Sequence, residues 1–165
     1  MRPQDDSFRK VYGTVFPLTI EAGVGIIKNF GLAAGYDWTS KKGQALALDQ
    51  GEDLFPVHFE MISIPVSIFY QYGGKLGGVP VGLVFGLGAS WHSYHENWET
   101  VDLTSQGKKW GPLVYATIDF RLFSRVGVFT SLRWESISTG QASLLSDNVN
   151  LGGIKLLAGM IFYLR

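Results

Sequence analysis

Bulky apolar residues alternate with small or polar residues along most of this chain. Between positions 113 and 123 every second residue is apolar, namely Val114, Ala116, Ile118, Phe120 and Leu122. A period of two predicts a β-strand, because successive side chains of a strand point to opposite faces of the sheet. The alternation returns in other segments, so the sequence predicts an all-β protein.

The pattern predicts eight strands in one domain. They are Phe8–Thr14, Leu18–Ile26, Phe30–Thr39, His58–Tyr72, Val79–Trp91, Leu113–Phe123, Val126–Glu135 and Gly152–Leu164. Several exceed the usual strand length of roughly 5–6 residues. We expect residues 1–7 to be a loose N-terminal segment and residues 8–165 to form a single β-barrel.

The predicted connections alternate in length along the chain. Short turns are expected at Lys28–Asn29, Gly73–Gly78 and Ser124–Arg125, and longer loops at Ser40–Pro56, Tyr94–Lys108 and Ser136–Asn150. Short turns at one end and longer loops at the other are typical of bacterial outer-membrane barrels.

The two faces of the predicted strands differ in size as well as polarity. One face carries bulky Ile, Leu, Val, Phe and Trp, and the other is dominated by Gly, Ala, Ser and Thr. Small residues suit the interior of a narrow barrel. The small face also carries a set of charged residues that is expected to form an ion network in the lumen: Glu21, Asp37, Asp119, Arg121, Arg133, Glu135 and Lys155.

Aromatic residues cluster toward the ends of the apolar face. Tyr36, Trp38, Trp91, Trp110 and Trp134 lie near the long-loop ends of their strands, and Phe30, Phe120 and Phe162 lie toward the short-turn ends. Two belts of aromatic rings are expected where strands cross the two interfaces of a bilayer. The sequence therefore predicts an aromatic girdle around a barrel whose apolar face is turned outward.

Composition agrees with this orientation. The net charge is zero, with 14 basic and 14 acidic residues, so no global field favours nucleic acid. Charged residues make up 17% of the chain, below the usual share of about 25%. The absence of cysteine excludes disulfides, thiolate metal sites and cysteine nucleophiles. Residues 1–6 lack an apolar segment, so we expect a mature chain from which a signal peptide was removed.

Two other interpretations stay open at this point. A soluble, lipocalin-like carrier would have the reverse orientation, with its apolar face inside. A transmembrane helix over Leu76–His95 would use the repeated spacing of Gly78, Gly82 and Gly86. The helix is disfavoured because every odd position from Val79 to Trp91 is apolar or small, which is a strand period.

These features resemble the small eight-stranded outer-membrane β-barrel proteins of Gram-negative bacteria, the OmpA-, OmpX- and OmpW-like group. The resemblance covers roughly Phe8 to Leu164 and rests on the strand pattern, the strand-to-loop stretch Gly35–Gly43 and the terminal strand Gly153–Leu164. It departs from the family where Arg165 follows Leu164, since the family's last strand usually ends in Phe. The resemblance implies a closed antiparallel up-and-down transmembrane barrel, inserted by the outer-membrane assembly machinery.

The sequence offers few catalytic constellations. His92, Ser93 and Glu96 fail as a triad because His92 and Ser93 point to opposite faces of a strand. His58 and Glu60 share a face and could begin a metal site or an acid–base pair. Lys41, Lys42, Lys108 and Lys109 flank two predicted loops, where they could meet lipid phosphates. We expect no catalytic residues, no metal and no cofactor.

The expected function is a non-enzymatic, structural or surface-binding role in the bacterial outer membrane through the long loops. An eight-stranded barrel has an interior just filled by side chains, which leaves a narrow channel for small or hydrophobic solutes as the alternative. Some barrels of this group resemble enzymes that act on lipid, and a lipid-modifying enzyme is a further, more distant alternative. The expected partners are outer-membrane lipid, lipopolysaccharide and the assembly machinery. No nucleic-acid partner is expected, and the chain is expected to be a monomer.

Overall fold

The described part of the chain forms seven antiparallel strands, which follow one another in a single sheet in chain order. The computed structural model describes residues 11–12, 15–46, 54–98, 103–137 and 152–163, so the expected loose segment 1–7 lies outside the described residues. The strands are β1 (Leu18–Ile27), β2 (Phe30–Leu46), β3 (Leu54–Leu76), β4 (Val79–Trp98), β5 (Leu103–Arg121), β6 (Val126–Glu135) and β7 (Gly153–Phe162). Each strand pairs with the next, which gives an up-and-down sheet.

The predicted eighth strand is wrong where the structure describes it. Val11 and Tyr12 have helical backbone, and the rest of Phe8–Thr14 lies outside the described residues. Within the described chain β1 and β7 are the edges of the sheet, and the sheet is not closed. An odd number of antiparallel strands leaves these two edge strands running in the same direction.

Two of the three predicted long loops are also wrong in large part, because the strands continue through them. β2 runs on to Leu46 and β3 already begins at Leu54, while β4 reaches Trp98 and β5 begins at Leu103. Only residues 47–53 and 99–102 separate these strands. The predicted turn at Gly73–Gly78 narrows to Gly77–Gly78, which have φ of 57° and 87°. Positive φ at both central residues is required by a type I′ hairpin turn.

The sheet curls so that its small-residue face is enclosed. Side chains of β6 and β7 reach those of β1 and β2 across this space, as in the ion pairs of Arg133 with Glu21 and Asp37. Asp119 and Arg133 are 4% and 2% exposed, whereas Ile64 and Leu83 on the other face are 39% and 37% exposed. The predicted orientation of the two faces is therefore confirmed.

The outward apolar residues form a band of limited height. Outward positions are mostly apolar over nine to thirteen residues of each strand, for example Phe30–Trp38 on β2 and Ile62–Tyr72 on β3. We call these residues the outward band. A strand that crosses a bilayer at a tilt of about 45° needs about 9–11 residues.

Beyond the outward band, at the end that carries the longer connections, the polarity of the two faces is exchanged. The inward side chains there form an apolar cluster, which we call the apolar cap: Tyr12, Phe55, Val57, Phe59, Met61, Tyr94, Trp98 and Ile137. The outward residues are polar, and we call them the polar collar: Ser40, Lys42, His58, Glu60, Ser93, His95, Asn97, Gln106 and Lys108. This end has the polarity of a sheet whose outer face meets water.

Glycines on the inner face lie directly opposite large inward side chains. Gly86 pairs with Tyr115 and Gly107 with Tyr94, while Gly31 pairs with Phe69. A Cβ atom at any of these glycines would overlap the opposite ring. Each of these glycines leaves room for an aromatic ring that reaches over it from the paired strand. This explains part of the high glycine content.

We predict that Gly86→Ala destabilises the protein while Gly74→Ala does not. The new Cβ atom would displace the buried Tyr115 ring, whose hydroxyl lies 3.2 Å from Ser67 Oγ. Overpacking of this kind costs about 1–3 kcal/mol. Among the described residues, and apart from its chain neighbours, no atom lies within 4 Å of a Cβ placed on Gly74. Urea unfolding measures both variants, and equal midpoints would contradict the role of the ring.

Candidate functional site

A cluster of five charged side chains occupies the enclosed face of the sheet. The Arg133 guanidinium on β6 donates to Glu21 on β1 and lies 3.1 Å from Asp37 Oδ2 on β2. Lys155 Nζ on β7 lies 2.7 Å from Glu135 Oε2, and Arg133 Nη1 is 3.9 Å from the other oxygen of Glu135. Four strands from both edges of the sheet thus meet through opposite charges. We call these five residues the ion cluster.

The other two charged residues predicted for this face lie apart from the ion cluster, toward the short-turn end. Asp119 accepts a hydrogen bond from the hydroxyl of Tyr163. Arg121 stacks on the ring of that tyrosine, with its guanidinium carbon 3.9 Å from the ring centroid. The predicted network is therefore divided into two groups in the structure, five residues at mid-height and two near the turns.

A buried serine–histidine contact lies next to the ion cluster. His92 Nδ1 lies 2.7 Å from Ser63 Oγ, and both residues are 0% exposed. His92 points inward whereas Ser93, the next residue along β4, belongs to the outward polar collar. The rejection of a His92–Ser93–Glu96 triad agrees with this geometry. Because no solvent reaches His92 or Ser63, this pair offers no entry for a substrate.

The apolar cap closes the enclosed space at the longer-connection end. Tyr12 is 2% exposed, its ring centroid lies 5.5 Å from that of Phe59, and its hydroxyl donates to Glu96 at 2.7 Å. Burial raises the pKa of the Glu96 carboxyl above its ordinary value, against the opposing hydrogen bond from Tyr12. Glu96 lies beyond the outward band, five residues past Trp91 on β4.

A second serine–histidine contact lies on the outside, in the polar collar. Ser40 Oγ on β2 is 2.9 Å from His58 Nε2 on β3, and Glu60 Oε1 is 3.5 Å from the same nitrogen. The register of the two strands brings them together, because Ser40 pairs with Glu60 and Lys42 pairs with His58. Ser40 is exposed, and 29% of the His58 side-chain surface is accessible. This pair, unlike Ser63–His92, can be reached from outside.

The residues predicted for the aromatic girdle all lie on the outward face. Trp38, Trp110 and Trp134 are 43%, 65% and 45% exposed. Trp91 is half-buried and pairs with Trp110 across β4 and β5. Toward the short-turn end, Phe30 lies edge-on to Tyr70 with centroids 5.0 Å apart. The remaining members are also outward: Tyr36, Phe120 and Phe162.

The comparisons with known proteins do not assign this chain to a family. Neither a scan against protein-family models nor a search of curated proteins found a match to the chain. Among the residues described here, none of the groups of three or more His, Asp or Glu side chains is arranged to hold a metal ion. The same part of the chain contains no helix of the length and apolarity needed to cross a membrane.

Sequence reasoning missed the contact between Ser40 and His58. It placed Ser40 in a loop, although the strand continues there, with exposed Ser40, Lys42 and Gln44 alternating with half-buried Lys41 and Gly43. It did place His58 and Glu60 on one face. Ser40 could not be recognised as the partner of His58, because their contact depends on the β2–β3 register. That register cannot be read from the periodicity of a single strand.

We predict that Arg133→Met lowers the free energy of unfolding by about 3–5 kcal/mol, because it leaves buried carboxylates without their cation. Arg121→Met is the matched control, since Arg121 is exposed and its cation–π contact is worth about 0.5–1 kcal/mol. Denaturant unfolding measures the free energy of unfolding of both variants. Similar losses for the two variants would show that the ion cluster does not hold the strands together.

We predict that the apolar cap becomes more stable as the pH falls from 7. The folded Glu96 carboxyl has a raised pKa, so the folded protein takes up a proton at a pH where the unfolded chain remains ionised. The free energy of unfolding therefore rises as pH falls through the raised pKa, and this gain is complete below the ordinary value of 4.5. Glu96→Gln should remove that part of the pH dependence, and identical pH profiles for variant and wild type would contradict it.

Proposed function

We propose that this chain is an integral outer-membrane β-barrel protein that spans the bilayer with its outward band and acts at the membrane surface through its longer-connection end. The observation that carries the proposal is the exposure of a continuous belt of bulky side chains around an interior that holds the ion cluster. Soluble monomers rarely expose contiguous apolar patches larger than a few hundred Å². Lipid is the environment in which such a surface is stable.

The height of the outward band supports this proposal. Its nine to thirteen residues per strand match the roughly 9–11 residues that a tilted strand needs to cross the hydrocarbon core. The aromatic side chains at its ends occupy the positions expected for rings at the two interfaces. Beyond it, the polar collar returns to the polarity of a water-facing surface.

Closure in the membrane follows from the chemistry of the backbone. Unpaired amide and carbonyl groups in hydrocarbon each cost several kcal/mol, so open sheet edges do not occur there. We therefore propose that the edges β1 and β7 are satisfied in the bilayer and that the sheet becomes a closed barrel. The contacts of Arg133 and Lys155 with β1 and β2 already draw the two edges toward one another.

The apolar cap and the ion cluster favour a structural or surface-binding role over an open channel. The apolar cap lies across the longer-connection end, and the ion cluster lies at mid-height. A larger cavity of about 640 Å³ is bordered by the inward residues Phe69, Gly86 and Tyr115 and by outward apolar side chains. A cavity of about 150 Å³ lies beside the cap, between the start of β1 and the start of β7. It is lined by Val15, Pro17, Thr39, Phe59, Met61 and residues 152–155. We propose outer-membrane lipid and lipopolysaccharide as the surroundings, and the assembly machinery as the route of insertion.

Two measurements on the purified protein test this proposal. We expect the chain to partition into detergent, to float with phospholipid vesicles and to resist extraction by carbonate. In planar bilayers we expect no unitary conductance steps, because the cap and the ion cluster obstruct the path through the interior. A chain that stays monomeric in water without detergent would overturn the membrane proposal and favour a soluble carrier. Conductance steps would favour the narrow channel.

A further inference from the structure

The Ser40–His58 pair combines a nucleophile, a base and access from outside. A histidine within hydrogen-bond distance of a serine hydroxyl is the arrangement that activates serine for attack on a carbonyl. Glu60 lies near the serine-facing nitrogen, so the group is a serine–histidine pair with a neighbouring carboxylate rather than a linear triad. The carboxylate favours the positive charge that forms on the ring when His58 takes up a proton.

The height of Ser40 along β2 indicates which class of substrate the pair could meet. Ser40 follows Trp38 by two residues on the same face, which is roughly 7 Å along the strand and about 5 Å in height at a tilt near 40°. Tryptophan rings at the end of a transmembrane band lie at the level of the lipid headgroups. The serine hydroxyl therefore lies in the headgroup layer, about 5 Å to the water side of the Trp38 level.

Charge near the pair favours a phosphate-bearing lipid. Lys42 is exposed and pairs across the strands with His58. Lys42 follows Ser40 by two residues on the same face of β2. Its cation attracts an anionic headgroup, while the outward band on the other side of Ser40 contacts the acyl chains. Phosphate contact by Lys42 and acyl contact by the band would bring the ester linkage between them within reach of Ser40.

We propose that Ser40 and His58 hydrolyse acyl esters of membrane lipids that carry phosphate. Ser40 Oγ attacks the ester carbonyl carbon, and His58 Nε2 takes the hydroxyl proton. His58 then gives this proton to the departing alkoxide as the ester C–O bond breaks, which leaves an acyl-serine. Water attacks the acyl-serine, His58 takes the proton of that water and returns it to Ser40, and the fatty acid is released. One ester and one water give one acid and one alcohol.

This inference rests on the proposed membrane function, because the bilayer supplies both the substrate and its depth. The test uses the full chain reconstituted in vesicles of phosphatidylethanolamine and phosphatidylglycerol with labelled acyl chains. A parallel sample contains lipopolysaccharide, so that release of acyl chains from either source is recognised. A fluorophosphonate probe followed by peptide mass spectrometry identifies the reactive serine independently of turnover.

We expect the probe to label Ser40 and the vesicles to release fatty acid from at least one of the two lipids. Ser40→Ala and His58→Gln should each lower the rate at least about 100-fold. Ser93→Ala is the matched control, since it removes another outward serine of the polar collar, and it should leave the rate unchanged. Glu60→Gln should lower the rate less than either of these changes.

Three outcomes would overturn the proposal. They are no labelling of Ser40 in vesicle-bound wild type, labelling of a different serine, and hydrolysis that persists in Ser40→Ala. Vesicle flotation of the same samples separates the two proposals. A chain that floats but neither reacts nor hydrolyses contradicts the esterase activity alone, whereas a chain that fails to float contradicts the membrane function and this inference together.

Discussion

Ionised side chains that are withdrawn from water must be paired, and this requirement shapes the whole sheet. Arg133 on β6 is buried with Asp37 from β2, and its guanidinium also reaches Glu21 on the edge strand β1. These contacts can form only if the sheet curls around its small-residue face. Once that face is enclosed, the bulky apolar residues that alternate with it have no place except the outside. The curvature and the outward band therefore follow from one electrostatic requirement.

The exchange of polarity along the strands extends this argument beyond the ion cluster. On β3 the inward residues Phe59 and Met61 are apolar, whereas Ser63 and Ser67, farther along the same face, are polar. The outward side changes in the opposite sense at the same height. A uniform surrounding solvent gives no reason for such a change partway along a continuous strand. The boundary between hydrocarbon and water that we propose would give one, and the polar collar with its Ser40–His58 contact would lie just on the water side of it.

Periodicity was enough to predict the antiparallel strands and the burial of their small face. It failed at the strand ends, because the apolar positions of β3 change from odd to even numbers between Met61 and Ile62. When the apolar residues of only one face are followed along the sequence, such a change of phase looks like the end of the strand. The strand predicted over Phe8–Thr14 failed at Val11 and Tyr12 for a different reason, since Tyr12 is held by tertiary contacts with Phe59 and Glu96. The Ser40–His58 contact depends on strand register and was not visible in local sequence.

Spin labels on the outward face measure most directly whether the outward band meets lipid. The chain contains no cysteine, so a nitroxide can be attached through Leu87→Cys or Leu132→Cys in the band and His95→Cys or Gln106→Cys in the collar. In bilayers, dissolved oxygen should relax the two band labels more than a water-soluble nickel chelate does, and the order should reverse for the two collar labels. Equal access of the chelate to all four labels would contradict the membrane orientation of this sheet.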